Sequence, residues 1–182
     1  MLDLTKDYFE LFSLPREYSL NGALLIERYL EFQRLLHPDV YAQASDLERR
    51  LSVQGAAFVN EAYTTLKDPL KRAVYLLQLF TNHVETEGNR QLSPGFLMEQ
   101  IELHESLEQA KSSADPFGEI GKVTSEVRVR LEESAKRLTK LFAKPDAQAL
   151  AEAQEAVSEM QFLEKLRVEA QRLEADIEDE EF

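Results

Sequence analysis

Residues 24–39 read Leu24-Leu25-Ile26-Glu27-Arg28-Tyr29-Leu30-Glu31-Phe32-Gln33-Arg34-Leu35-Leu36-His37-Pro38-Asp39. Leu25, Tyr29, Phe32 and Leu36 are four, three and four residues apart, the spacing of one face of an α-helix. Pro38 closes that pattern, because proline cannot continue the hydrogen-bond ladder and restricts the residue before it. The stop carries an imidazole and a carboxylate together on a stiffened turn. Such a turn is a small, pre-organised polar surface suited to docking on another protein. About ten residues beyond it a second helical pattern opens, so His37-Pro38-Asp39 sits between two helices expected to run antiparallel.

Working outward, the pattern stays helical. Asp7-Tyr8-Phe9-Glu10-Leu11-Phe12 predicts a short first helix that stops near Leu14-Pro15. Ser19 or Asn21 can cap the second helix, whose last residue is expected at Leu36. The third begins near Ser45 or Asp46, presents Leu47, Leu51, Ala57, Phe58, Ala62 and Leu66, and ends at Asp68. Pro69 suits the first turn of a fourth helix, Leu70 to Phe80, since its missing N–H has no intrahelical partner there anyway. No segment alternates apolar and polar residues with β-branched enrichment, so the fold class is all-α.

The signal breaks between Thr81 and Ser93, where Asn, Gly, Glu and Thr stand among few apolar anchors and Ser93-Pro94-Gly95 follows. The expected organisation is a first domain over residues 1–80, a linker over 81–95 and a second domain over 96–182. Three helices are expected in the second domain: Phe96 to about Lys111, Pro116 to about Ala143, and Asp146 to about Glu178. The middle one carries Ile120, Val123, Val127, Leu131, Leu138 and Leu141, and Lys144-Pro145-Asp146 is tight enough to turn the chain antiparallel. The acidic end from Ile177 to Phe182 is expected to be a frayed, solvated tail.

Composition narrows the function. The chain has 182 residues and no cysteine, which removes disulfides and thiolate ligation of zinc or an iron–sulfur cluster. Net charge is −13, divided as −2 over residues 1–80 and −11 over 81–182. So acidic a second half repels nucleic acid and anionic membranes and permits a basic protein partner. There is no signal-peptide pattern at Met1 and no run of about twenty apolar residues, which points to the cytoplasm. A hydrolase reading fails because a general base needs a paired nucleophile or acid, and His83 and His104 fall away from His37, in the linker and the second domain. Three scattered histidines also predict no metal site, and nothing calls for a cofactor.

The helix from Phe96 has two apolar stripes. At 100° per residue Phe96, Leu103, Leu107 and Ala110 cluster on one side, while Leu97, Met98 and Ile101 fall opposite, among Glu102, Glu105 and Glu108. One stripe docks the helix on its neighbours. The second, rimmed by carboxylates and containing a flexible thioether, is expected to meet a partner. In the last helix Leu163, Leu166, Ala170 and Leu173 form the inward row, and Phe162 lies roughly 100° off it.

The order of short helix, long helix, His-Pro-Asp and long helix resembles the J-domain, the module by which DnaJ-type co-chaperones engage their partner ATPase. Tyr8-Phe9, Leu11-Phe12, Leu14-Pro15, Asn60-Glu61-Ala62-Tyr63, Leu66, Asp68-Pro69, Arg72-Ala73 and Tyr75-Leu76-Leu77 resemble one specialised branch. Phe96-Leu97-Met98-Glu99-Gln100-Ile101-Glu102-Leu103 and Phe162-Leu163-Glu164-Lys165-Leu166 do so as well. That branch is the HscB family, co-chaperones of iron–sulfur cluster biogenesis, and the resemblance runs from about Asp7 to about Leu173. It implies an N-terminal J-domain, a helical hairpin with the tripeptide in its loop, and a C-terminal three-helix bundle that binds the client. It further implies a non-enzymatic protein that recruits and stimulates an HscA-type chaperone ATPase through His37, Pro38, Asp39, Arg34 and Arg28. An IscU-type iron–sulfur scaffold would bind at Leu97, Met98, Ile101, Glu102, Glu105 and Phe162. The absence of a cysteine-bearing N-terminal extension resembles the bacterial form. The chain departs from general J-domains in two ways: Val40, not Lys, follows Asp39, and only Arg28 and Arg34 are basic within residues 24–36. A general J-protein that presents unfolded chains, or a helical adaptor, is the alternative.

Overall fold

The computed structural model describes residues 2–81 and 94–180. Among the described residues there are seven α-helices and one short 3-10 turn: α1 Tyr8–Leu11, α2 Gly22–Leu35, the turn Pro38–Tyr41, α3 Asp46–Lys67, α4 Pro69–Thr81, α5 Pro94–Lys111, α6 Pro116–Ala143 and α7 Ala147–Glu180. The chain divides into two compact units, Met1–Leu76 and Leu77–Phe182, and the division falls within α4. The linker expected over 81–95 falls for the most part on residues 82–93, outside the described residues. At its edges Thr81 still belongs to α4, and Pro94 already opens α5. A proline in the first turn gives up no intrahelical hydrogen bond.

Local chemistry sets the helix starts. The Asp7 carboxylate accepts the Glu10 N–H at 2.9 Å to begin α1, and the Asn21 side chain accepts the Leu24 N–H at 3.1 Å to begin α2. Ser45 and Glu48 form a reciprocal capping box on α3, each side chain accepting the other residue's backbone N–H. Asn21 and Ser45 are thus the caps, not Ser19 and Asp46.

In the first unit Phe9 and Phe12 of the α1 region are fully buried with Val59, Ala62 and Leu66 of α3 and Ala73 and Leu76 of α4. Tyr8 stacks on Tyr75 with ring centroids 4.4 Å apart, and the Tyr8 N–H donates to the Tyr75 hydroxyl at 3.0 Å. Burial and the Glu61 carboxylate push the Tyr8 hydroxyl up to about 12, so it stays a donor at any physiological pH.

The buried row of α3 is Ser52, Gly55, Val59, Ala62 and Leu66, at strict three–four spacing. The expected inward stripe is corrected at Leu47 and Ala57, which are exposed. Leu47 lies in the first turn, before the row begins, and Ala57 falls between its members. Gly55 belongs to the row because α3 passes close to Leu36. A Cβ there would lie 3.4 Å from a Leu36 methyl.

In the second unit Leu103, Leu107 and Ala110 of α5, Ile120, Val123 and Val127 of α6, and Leu163, Leu166 and Ala170 of α7 form one buried cluster. The α6 row continues through Ser134, Leu138 and Phe142, while Leu141 is half-buried. Of the frayed, solvated tail expected from Ile177 to Phe182, Glu178 and Asp179 are exposed but helical, residues 181–182 lie outside the described residues, and the expectation is corrected at Ile177. The α7 helix continues to Glu180, and Ile177 packs partly buried against the cluster.

Candidate functional site

The first candidate surface is the turn between α2 and α3. Contacts between these helices pair Tyr29 with Tyr63, stacked at 4.0 Å, and Tyr29 and Gln33 with Asn60. The Tyr29 hydroxyl and the Gln33 amide both donate to Asn60 Oδ1, at 3.0 and 2.7 Å. Higher up, the Ser52 hydroxyl donates to the Leu36 carbonyl at 3.3 Å. Partner numbers fall on α3 as they rise on α2, so the two helices are antiparallel. The Ser52 bond occupies a carbonyl that the end of α2 would otherwise leave unpaired, immediately before His37.

His37 is the cap of the 3-10 turn, with extended φ and ψ of −60° and 136°. Its Nδ1 accepts the Asp39 backbone N–H at 3.3 Å, and the Val40 N–H returns to the His37 carbonyl at 3.0 Å. Engaging the Nδ1 lone pair leaves the ring proton of the neutral imidazole on Nε2. The Asp39 carboxylate lies 3.6 Å from Nδ1, and the two side chains are 91% (Asp39) and 58% (His37) exposed. Pro38 is exposed between them. The turn therefore presents an N–H donor and an anion to solvent on a backbone held by its own hydrogen bonds.

Arg34 is exposed and makes no ion pair among the described residues, whereas Arg28 is engaged with Glu31 at 3.2 Å. Sequence reasoning passed over Ser52 and Gly55, which position the turn. Their only signal was the three–four spacing back from Leu66, carried by residues too small or too polar to register as hydrophobic.

The second candidate surface lies on α5. Leu103, Leu107 and Ala110 face the core, and Phe96 is half-buried. On the opposite side Leu97, Met98 and Ile101 are 45%, 60% and 52% exposed, with exposed Glu102 and Glu105 beside them. Glu99, on the same helix, is held by Arg130 of α6 at 2.9 Å. Phe162 is placed differently. It packs partly buried against the core cluster, edge-to-face with Phe96 at 6.1 Å. Part of its ring remains accessible, but it is also a packing residue.

His104, Glu108 and Glu169 bring one ligand atom each to within 4.8 Å of one another, all exposed, on α5 and α7. Three scattered histidines are not needed for such a group, since two acids complete it. His104 Nδ1 already sits 3.7 Å from the Glu169 carboxylate, an arrangement that a strongly acidic surface produces without an ion. No described helix is long and apolar enough to cross a membrane.

Comparison with known proteins agrees with this architecture. Residues 92–171 match the family model described as the HSCB C-terminal oligomerisation domain. The chain is 41% identical over 173 residues to the co-chaperone protein HscB homolog of Shewanella halifaxensis, covering 92% of this chain and 97% of that protein. It is 40% identical over 169 residues to the homolog of Burkholderia thailandensis, covering 93% and 94%. Among solved structures it is similar to chaperone HscB from Vibrio cholerae, with 38% identity, a TM-score of 0.79 and coverage of 94% and 99%. Human co-chaperone protein HscB superposes with a TM-score of 0.83 at 29% identity, covering 93% of this chain and 82% of the human one. With such relatives along more than nine-tenths of its length, the chain belongs to the HscB family of co-chaperones, J-proteins of iron–sulfur cluster biogenesis.

Proposed function

We propose that this protein links an HscA-type chaperone ATPase to an IscU-type iron–sulfur scaffold in the bacterial cytoplasm and performs no catalysis itself. Residues 1–80 would be the J-domain and residues 96–182 the client-binding domain. The observation that carries the reading is that the apolar stripe Leu97, Met98 and Ile101 stays exposed in a chain that also presents His37 and Asp39 on a free turn. Exposed aliphatic residues rimmed by Glu102 and Glu105 suit a partner with an apolar centre and a basic border. The tripeptide offers a donor and an anion for the ATPase, with Arg34 at its edge. Holding both partners on one chain makes their encounter effectively intramolecular and raises the local scaffold concentration without any new contact. Cluster chemistry would belong to the scaffold, since this chain has no thiol.

Two variants test the reading separately. His37→Gln or Asp39→Asn should abolish ATPase stimulation and leave scaffold binding intact, because a lost charged hydrogen bond at an interface costs ~2–5 kcal/mol. Leu97→Ala with Met98→Ala should weaken scaffold binding by about ten- to a hundredfold and leave scaffold-independent stimulation unchanged. Phe162 is kept out of that variant because its ring also packs on the core. Stimulation retained by His37→Gln rules out the chaperone role. Equal affinity for denatured model proteins and the folded scaffold would favour a general J-protein.

A further inference from the structure

The part of α5 that carries the apolar stripe contains no fully buried residue. From Gly95 to Glu102, Phe96 and Gln100 are half-buried and the others exposed, and the first buried residue is Leu103. Leu97 therefore stands about 9 Å upstream of the core, at 1.5 Å per residue. A helix end without buried anchors frays unless something holds it from the side. Phe96 ties this stretch to α7 through Phe162, and Glu99 ties it to α6 through Arg130. The guanidinium of Arg130 is aimed for this tie. Its Nε and Nη2 donate to one oxygen of Glu126, four residues back on α6, at 3.2 and 2.8 Å, and Nη1 donates to Glu99 at 2.9 Å. The Arg130 side chain is only 27% exposed, so water competes for it less than at an open surface pair. Glu99 lies about 160° around α5 from Ile101, at 100° per residue, so the tie is made from behind the stripe.

We propose that Arg130 is a positioning residue for the scaffold-docking surface: by holding Glu99 from behind, it fixes the start of α5 so that Leu97, Met98 and Ile101 stand as one ordered stripe before the partner arrives. This rests on the scaffold role proposed above. A stripe already ordered loses less conformational freedom on docking, which strengthens binding without adding a contact. The same guanidinium also keeps like charges apart. Glu99 and Glu126 both meet it, and Glu159 of α7 feels both Glu99 and Arg130. Removing the cation leaves three carboxylates to repel one another across the three helices, which pushes the start of α5 away from α6.

The test uses the full chain, amide hydrogen exchange of the free protein, and binding of the purified cognate IscU-type scaffold. Arg130→Gln should speed exchange at residues 98–102 by about threefold or more, with Leu107 and Ala110 of the same helix unchanged. It should weaken scaffold binding about three- to fivefold. Scaffold-independent ATPase stimulation should stay at the wild-type level, since the first unit is untouched. Adding Glu99→Gln to Arg130→Gln removes a repelling carboxylate and should cost no further affinity. Exchange at 98–102 at the wild-type rate overturns the proposal. So does faster exchange spread evenly over α5, α6 and α7 with scaffold affinity intact, which would make Arg130 a general stabiliser. A further loss of affinity in the double variant overturns it too, by placing Glu99 in contact with the scaffold. Wild-type affinity in Arg130→Gln, alongside weakened binding by Leu97→Ala with Met98→Ala, overturns the positioning role and leaves the scaffold role standing. Normal binding by Leu97→Ala with Met98→Ala overturns both.

Discussion

Glu159 on α7 is a carboxylate in a half-buried position, facing Ser134 and Arg137 of α6, with Glu99 of α5 and Arg130 of α6 close enough to be felt. Burial pushes its carboxyl above the ordinary glutamate range, and repulsion from Glu99 adds to this. The Ser134 hydroxyl and the two guanidinium groups pull the other way without prevailing. A carboxyl whose folded pKa lies above its unfolded value binds more protons when folded, so stability falls as pH rises through that window. Above the raised pKa the chain carries the full penalty of a poorly solvated charge. Below the unfolded value both states are protonated and the penalty is gone. Glu159→Gln is therefore expected to be more stable than the wild type at neutral pH, with the difference shrinking to nothing as pH drops below the unfolded value. Urea denaturation of both proteins at pH 7 and pH 4 measures this, and a Gln variant less stable at pH 7 would show that the Ser134 hydroxyl and the nearby Arg137 charge outweigh the burial.

At the scale of elements, α6 carries an avoidable cost. Gly121 lies inside the helix, five residues past Pro116, and a Cβ built there meets nothing within 4 Å. Gly121→Ala should stabilise the protein by about 0.5–1 kcal/mol, because glycine loses more backbone freedom than alanine on entering a helix. The melting temperature should rise with partner binding unchanged, and a fall would mean that the helix needs the bare backbone for a contact absent from the free chain. The helices were legible in the sequence to within a few residues, since caps such as Asn21 and Ser45 and stops such as Pro38 act on neighbours along the chain. The inward face of α3 was not. Its row passes through Ser52 and Gly55, which are chosen for the close approach of Leu36 and the free Leu36 carbonyl, not for hydrophobicity.

On the scale of the whole molecule, charge is the organising feature. Residues 81–182 hold −11 of the net −13, and Glu102 and Glu105 stand exposed beside the apolar stripe of α5. Both should steer a basic scaffold protein more than they bind it. Exchanging Glu102 and Glu105 for Gln is expected to slow association by a fewfold, flatten its salt dependence and leave dissociation nearly unchanged. Stopped-flow binding of the scaffold across a range of ionic strengths would show this, and an effect confined to dissociation would place the carboxylates inside the interface instead. The two stripes of α5 could be separated by periodicity because one helix turned to two sides is a property of spacing alone.

Sequence by itself determined the all-α class, the turn at His37-Pro38-Asp39, the inward and outward sides of α5, and the absence of thiol chemistry. Each follows from composition or from interactions within one or two helical turns. Tertiary structure alone decided that Phe162 meets Phe96 and the core, that Asn60 ties α2 to α3, and that His104 meets Glu169. It also decided that Ile177 packs where a frayed tail was expected, and that Leu47 stays outside. These depend on which helix lies opposite, and that is set by the summed burial of many residues far apart in the chain.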